Sequence, residues 1–170
     1  MKIVIAGATG LIGKALTKKL IDNGEDVIIF SRNIAKSKEL IPNAKDHIEW
    51  RINGSTNPQV IDALKDADAV INLAGENVLS RRWTKKHKEN IYNSRVKGTR
   101  KLTEAILKSN NPLKTFISAS AVGIYGSRDS ETFEDSETGN DFLANVVKDW
   151  ESASSGLEKF NTRYKTDIFH

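Results

Sequence analysis

The chain has 170 residues, a formal net charge of +4 and no cysteine. This length fits one domain with its own hydrophobic core. The lack of cysteine excludes disulfides, thiolate metal sites and cysteine nucleophiles, and it fits a reducing, cytoplasmic location. We predict no metal site. We also predict no membrane association, because no apolar stretch approaches the roughly 20 residues of a membrane span.

Short apolar strands alternate with amphipathic helical segments along the chain. The predicted strands are 3–6, 27–30, 47–52, 69–73 and a fifth that ends at 116–118. The predicted helices are 11–24, 34–41, 58–65, one long helix over 84–109 and a last one over 140–156. This alternation predicts a Rossmann-like, doubly wound parallel α/β sheet with strand order 3-2-1-4-5. Ligands of such sheets bind at the carboxyl ends of the strands.

The turn after the first strand has the spacing of a dinucleotide-binding loop. Gly7, Gly10 and Gly13 directly follow the apolar run 3–6. The first glycine permits a tight turn, the second lets backbone N–H groups approach a pyrophosphate, and the third lets the helix pack closely on the strand. The N-terminus of the helix then faces the anion.

The glycine turn has two alternative interpretations besides a dinucleotide site. A P-loop requires glycine at position 8 and serine or threonine at position 15, but the chain has Ala8 and Ala15. A purely structural glycine turn is the second alternative, and it stays open. The predicted inner face of the following helix comprises Leu11, Ile12, Ala15, Leu16 and Leu20.

The end of the second strand favours NADP over NAD. NAD sites usually place an acidic residue there to bind the ribose hydroxyls, whereas this chain has Ser31 and Arg32. A hydroxyl and a guanidinium suit a 2′-phosphate. The alternative is that Arg32 points into solvent.

The clearest basic cluster of the chain spans residues 81–88 and contains Arg81, Arg82, Lys85, Lys86 and Lys88. Three interpretations are open: a nucleic-acid site, a solvated helix start, or a site for an anionic ligand. Nucleic-acid proteins usually spread basic residues along a face, and residues 129–141 are acidic. We therefore predict no nucleic-acid partner.

Four strings recur in an order that resembles extended-type short-chain dehydrogenase/reductases. They are residues 7–13, 72–75, 94–99 and 118–126. Residues 75–77, 81–83, 141–144 and 149–151 resemble an atypical epimerase-family branch of this superfamily, described as sugar-nucleotide-epimerase-like or cell-division-inhibitor-like. The resemblance covers about residues 1–156 and implies that these form an NAD(P)-binding Rossmann domain.

The resemblance also implies roles for individual residues. The pyrophosphate contacts are expected at Gly7, Thr9, Gly10, Leu11 and Ile12, and the 2′-phosphate contacts at Ser31 and Arg32. The riboses are expected near Leu73, Ala74, Gly75 and Glu76, with Arg81 as a further cofactor contact, and the nicotinamide over Ser118, Ala119 and Ser120. Arg51 follows Trp50 where the resemblance implies an acidic residue beside the adenine.

The catalytic pattern of the superfamily, Tyr-x-x-x-Lys, is missing from the whole sequence. In that pattern the lysine lowers the pKa of the tyrosine, which exchanges a proton with the substrate. Ser120 is the first catalytic candidate, and Tyr125 or Lys148 are candidates for the missing acid. The alternatives are that Ser118 and Ser120 bond to backbone and that Tyr125 packs under its loop.

The segment 157–170 is polar and lacks the β-branched strand that the resemblance implies. We expect a divergent or truncated end, a substrate lobe that is largely absent, and an open edge beside the fifth strand that offers a route to a homodimer.

These observations predict an NADP-binding oxidoreductase or epimerase that acts on a small or nucleotide-linked hydroxyl or carbonyl substrate. The alternatives are a non-catalytic NADP(H)-binding sensor or scaffold, and an inactive truncated fragment.

Overall fold

The computed structural model describes residues 1–128, 131–160 and 163–169. The strands are β1 (Lys2–Ala6), β2 (Asp26–Ser31), β3 (Asp46–Glu49), β4 (Ala69–Asn72), β5 (Thr115–Ala121) and β6 (Arg163–Phe169). The helices are α1 (Leu11–Asp22), α2 (Ile34–Leu40), α3 (Pro58–Leu64), α4 (Lys85–Tyr92), α5 (Gly98–Ser109) and α6 (Phe142–Ser152). No helix in these ranges is both long and apolar enough to cross a membrane.

All strands are parallel and lie in the order β3-β2-β1-β4-β5-β6. The predicted order 3-2-1-4-5 is therefore confirmed. The expectation that residues 157–170 lack a strand is wrong, because β6 pairs with β5 from Thr115 to Ala121. The edge of β5 is thus covered, and a homodimer has no open β5 edge to use.

The sheet buries apolar side chains on both faces, as a doubly wound sheet requires. On one face, Val4, Val70 and Phe116 pack against α3 and α5. On the other face, Ile5 and Ile29 pack against the helix α1. Because both faces are covered by helices, only the edges and the strand ends are left for ligands.

The predicted helix over 84–109 is interrupted. A π-helical turn, Asn93–Lys97, separates α4 from α5. Such turns often occur at functional sites, because the extra residue redirects the side chains beside it. The start of α4 agrees with the prediction, since the Thr84 hydroxyl accepts a hydrogen bond from the His87 N–H at 3.2 Å.

The imidazole of His47, a residue of β3, contacts Ser37 of α2. Its Nδ1 is 2.9 Å from the Ser37 hydroxyl. Burial lowers the pKa of His47, and the backbone hydrogen bond at Ile41 offsets only part of that effect. The unfolded chain, with an ordinary pKa of about 6.5, therefore takes up the proton more readily than the folded chain does.

We predict that the free energy of unfolding is highest above about pH 6.5 and falls as the pH drops toward the folded-state pKa of His47. His47→Gln removes this titration, so its unfolding free energy should fall less between about pH 7.5 and about pH 5.5. Urea unfolding at both values measures the difference. Equal losses in the two proteins would contradict the prediction.

Candidate functional site

A cleft of about 320 Å³ lies at the carboxyl ends of β1, β2 and β4. It is lined by Gly7, Thr9, Gly10, Phe30, Ser31, Arg32, Asn33, Lys36, Trp50, Ile52, Asn72, Leu73, Ala74, Gly75, Glu76, Ser94 and Gly98. This is where a doubly wound sheet is expected to bind its ligand.

The glycine turn brings β1, β4 and α1 together at the base of the cleft. Gly7 has a φ of +88°, and a Cβ on it would lie 2.6 Å from the Leu73 carbonyl carbon. A Cβ on Gly13 would lie 2.2 Å from the Gly7 carbonyl oxygen. No other residue type fits either position without moving backbone.

Gly10 has a different reason to be glycine. A Cβ there would meet only the Gly7 oxygen, at 3.4 Å, which is ordinary contact. Gly10 also caps α1 without any side-chain hydrogen bond. The N-terminus of α1 therefore meets the cleft at Gly10, beside a space that a side chain would fill. This is the cradle that a pyrophosphate needs.

The predicted inner face of α1 is partly wrong. Leu11 is 87% exposed and Ile12 is 46% exposed, and Ala15 is exposed as well. Gly13 and Thr17 are the buried residues instead. The close contact of Gly13 with the turn rotates the helix, so Gly13 faces the turn and the side chains of Leu11 and Ile12 are exposed.

The end of β2 carries two cations and no carboxylate on the cleft wall. Arg32 and Lys36 both line the cleft. Neither forms an ion pair with the residues that the structure describes. The Ser31 hydroxyl donates to the Asn33 carbonyl at 3.1 Å and accepts from the Asn33 N–H at 3.2 Å, which fixes the turn between β2 and α2.

Trp50 forms the apolar wall beside these cations. Its ring is 5.9 Å from that of Phe30 in a stacked arrangement, and the Lys101 ammonium lies 5.5 Å from its centroid. Arg51 is turned away and pairs with the Glu49 carboxylate at 2.8 Å. The departure at Arg51 therefore leaves the apolar wall in place.

Two side chains of the π-helical turn form hydrogen bonds with the loop after β4. The Ser94 hydroxyl accepts a hydrogen bond from the Glu76 N–H at 2.9 Å, and the Arg95 guanidinium donates to the Glu76 carbonyl at 2.8 Å. The sequence pattern did not indicate this arrangement, because a single turn of π-helix has no distinct residue signature.

A buried polar group ties the cleft floor to the helices behind it. The Thr99 hydroxyl accepts hydrogen bonds from the Asn72 amide at 2.8 Å and from the Trp150 indole at 3.0 Å. Asn72 lines the cleft, so α5 and α6 together fix the end of β4.

The catalytic candidates lie outside this cleft. Ser120 is 4% exposed, and its hydroxyl donates to the Glu151 carboxylate at 2.5 Å. The Ser118 hydroxyl donates to the backbone oxygen of Ala119 at 3.5 Å. The side chains that α6 buries are apolar apart from the indole N–H of Trp150. They belong to Ala144, Val146, Val147 and Trp150.

Tyr125 and Lys148 line a second cavity, of about 500 Å³, beyond the end of β5. Tyr125 is buried and packs against Val147, while the Lys148 ammonium donates to the Gly139 carbonyl at 2.6 Å. The two side chains therefore lie in one cavity, separate from the cleft that carries the glycine turn.

The structure thus brings together nine of the predicted cofactor contacts. These are Gly7, Thr9, Gly10, Ser31, Arg32, Leu73, Ala74, Gly75 and Glu76. Leu11, Ile12, Arg81, Ser118 and Ala119 are not on the cleft wall. Sequence reasoning missed Asn33, Lys36, Ile52, Asn72 and Ser94.

A model of the NAD dependent epimerase/dehydratase family matches residues 3–145. The chain belongs to this family. The resemblance found in the sequence is confirmed, and the epimerase/dehydratase chain has an NAD(P)-binding Rossmann fold of the short-chain dehydrogenase/reductase type.

The chain spans about half the length of the curated relatives that it matches. It is 37% identical over 165 residues to the epimerase family protein YfhF of Bacillus subtilis, covering 96% of this chain and 52% of that protein. It is 30% identical to the human epimerase family protein SDR39U1 crystallised with NADPH, with a TM-score of 0.74 and coverage of 98% and 52%. It is 35% identical to a nucleoside-diphosphate sugar epimerase from Corynebacterium glutamicum, with a TM-score of 0.76 and coverage of 99% and 33%.

Gly10 and Gly13 should respond differently to the same substitution. Gly13→Ala should lower the free energy of unfolding by about 3 kcal/mol, because its methyl group overlaps a backbone oxygen. Gly10→Ala should change it by less than about 1 kcal/mol, because the methyl group enters open space. Urea unfolding of the ligand-free proteins compares them, and equal destabilisation would contradict the assignment of the cradle.

Proposed function

We propose that this chain binds NADP(H) in the cleft and serves as an oxidoreductase or epimerase for a small or nucleotide-linked hydroxyl or carbonyl substrate. The observation that carries the proposal is an open glycine cradle at Gly10 together with two cations on one cleft wall, Arg32 and Lys36, neither of which forms an ion pair with a described residue. We retain the cytoplasmic location as a proposal from the sequence.

The charges of the cleft support NADP rather than NAD. Arg32 and Lys36 lie at the end of β2, and the acidic residue that lines the described cleft, Glu76, follows β4 instead. A 2′-phosphate would give both cations a partner, whereas the diol of NAD would leave them unpaired and would lack a carboxylate to accept its hydrogen bonds. NADPH is also the ligand named for the human relative SDR39U1.

The chemistry that a bound nicotinamide supplies is hydride transfer at its C4 atom. This chain would position the substrate at the far end of the cleft, where the loop at Gly75 and Glu76 is fixed by Ser94. The described cleft wall has one carboxylate, that of Glu76, which we propose as the proton-exchanging group nearest to the substrate.

A second function, an NADP(H)-binding sensor without turnover, is favoured by one observation. The Ser120 hydroxyl donates a hydrogen bond to the Glu151 carboxylate and does not line the cleft. The chain also has no Tyr-x-x-x-Lys. In that case binding would change stability or partner affinity and no substrate would be consumed.

Loss of either cation at the end of β2 should weaken NADPH binding selectively. Arg32→Ala and Lys36→Ala should each raise the dissociation constant for NADPH about tenfold while changing that for NADH little, because one charge-assisted hydrogen bond is lost. Calorimetric titration measures both constants. Lys38→Ala, exposed on the same helix and away from the cleft, is the matched control. An unchanged NADPH/NADH ratio in both cleft variants would contradict the proposal.

Turnover separates the enzyme from the sensor. NADPH oxidation is followed by absorbance with a panel of small and nucleotide-linked carbonyl compounds, and conversion of nucleotide-linked hydroxyl compounds to their epimers with NADP⁺ is followed by NMR. The enzyme proposal predicts protein-dependent oxidation or epimerisation of at least one of them, abolished in Gly10→Val because its side chain fills the cradle. NADPH binding with neither reaction across the panel would favour the sensor.

A further inference from the structure

The Arg95 guanidinium has an unusual environment next to the cleft. It lies over the Trp150 ring, 5.2 Å from the ring centroid, and one of its nitrogens donates to the Glu76 carbonyl at 2.8 Å. Its Nε and second terminal nitrogen have no acceptor among the residues that the structure describes. Neither nitrogen is among the fully buried polar atoms that lack a hydrogen-bond partner.

The charge of Arg95 also lacks a direct partner. Within the described parts of the chain, no carboxylate oxygen lies within 4.0 Å of it. Burial lowers the pKa of the guanidinium, and the more distant Glu76 carboxylate offsets this only in part. Buried charges are usually paired, because desolvation makes an unpaired charge costly.

Gly75 leaves one face of the guanidinium uncovered. A Cβ on Gly75 would lie 3.1 Å from the Arg95 Cζ and 3.2 Å from one terminal nitrogen. Gly75 itself lines the cleft, so the guanidinium lies directly behind a wall that has no side chain. The φ of Gly75 is not in the left-handed region, so backbone conformation does not explain the glycine.

We propose that Arg95, held between Gly75 and the Trp150 ring, binds an oxyanion, a carboxylate or phosphate group, of the second ligand of this site. Trp150 fixes the plane of the guanidinium, which leaves the free N–H donors in the fork geometry that suits such groups. The hydrogen bond and ring contact of Arg95 are with Glu76 and Trp150, not with Gly10 or Arg32. The assignment of the anion to a substrate rests on the proposed function, whereas the anion site itself does not.

The test observes Arg95 directly, without nucleotide and without turnover. The side-chain Nε–H signals of the ¹⁵N-labelled chain are recorded by NMR, and the Arg95 signal is the one missing from Arg95→Lys. Inorganic phosphate and malonate are titrated separately at constant ionic strength. We expect a saturable shift of the Arg95 signal with at least one of them. The preferred anion identifies the substrate group as phosphate or carboxylate.

Two further variants distinguish anion binding from a purely structural role. Gly75→Ala keeps the guanidinium but places a methyl group 3.1–3.3 Å from its Cζ and terminal nitrogens. The guanidinium must then shift from the position that Trp150 fixes, so the anion should bind about tenfold more weakly, the effect of one charge-assisted hydrogen bond. Arg100→Met, an exposed arginine on α5, removes the same charge elsewhere and should leave the titration unchanged. Melting curves confirm that each variant is folded.

Three results would overturn the proposal. The Arg95 signal could fail to shift with either anion, or Gly75→Ala could bind as tightly as the parent chain. Saturating NADPH could also abolish the phosphate or malonate shift, which would assign the guanidinium to the cofactor instead of a second ligand. Failure to bind NADPH in a separate titration would contradict the proposed function and leave the anion site standing.

Discussion

The structure depends first on the close approach of β1, β4 and α1 at the glycine turn. With a side chain at Gly7 or Gly13, backbone atoms less than 3 Å away would have to move. The ends of β1 and β4 would then separate, and Leu73 to Glu76 would no longer form the opposite wall of the cleft. Because Asn72 and Thr99 fix the same strand end from behind, the turn is rigid on both sides and its N–H groups are pre-oriented toward a ligand.

The cleft contains groups that can bind phosphates but few groups that can exchange a proton with a substrate. The cradle at Gly10 and the cations Arg32 and Lys36 need no movement to contact a phosphorylated ligand. By contrast, the residues that the superfamily uses for acid-base chemistry are missing, and Ser120 is committed to Glu151. The chain spans about half the length of the curated relatives it matches.

Sequence reasoning succeeded where local chemistry decides the structure. The strand order follows from alternating strands and helices, and the glycine spacing located the cleft. It failed where tertiary contacts decide. The contact of Gly13 rotates α1 and exposes Leu11, and the π-helical turn that presents Ser94 and Arg95 has no residue signature. The miss at β6 is of another kind, because the alternation of Tyr164, Thr166 and Ile168 with polar residues is itself a strand pattern. Lys36 was missed because only the fold brings the first turn of α2 to the cleft wall.

The central claim, an NADP site between the glycine turn and the end of β2, is tested most directly by calorimetric titration of the unmodified chain with NADPH and with NADH. The account predicts that NADPH binds at least about tenfold more tightly, since its additional phosphate forms charge-assisted hydrogen bonds with Arg32 and Lys36. Equal or tighter binding of NADH, or no binding of either nucleotide, would contradict it.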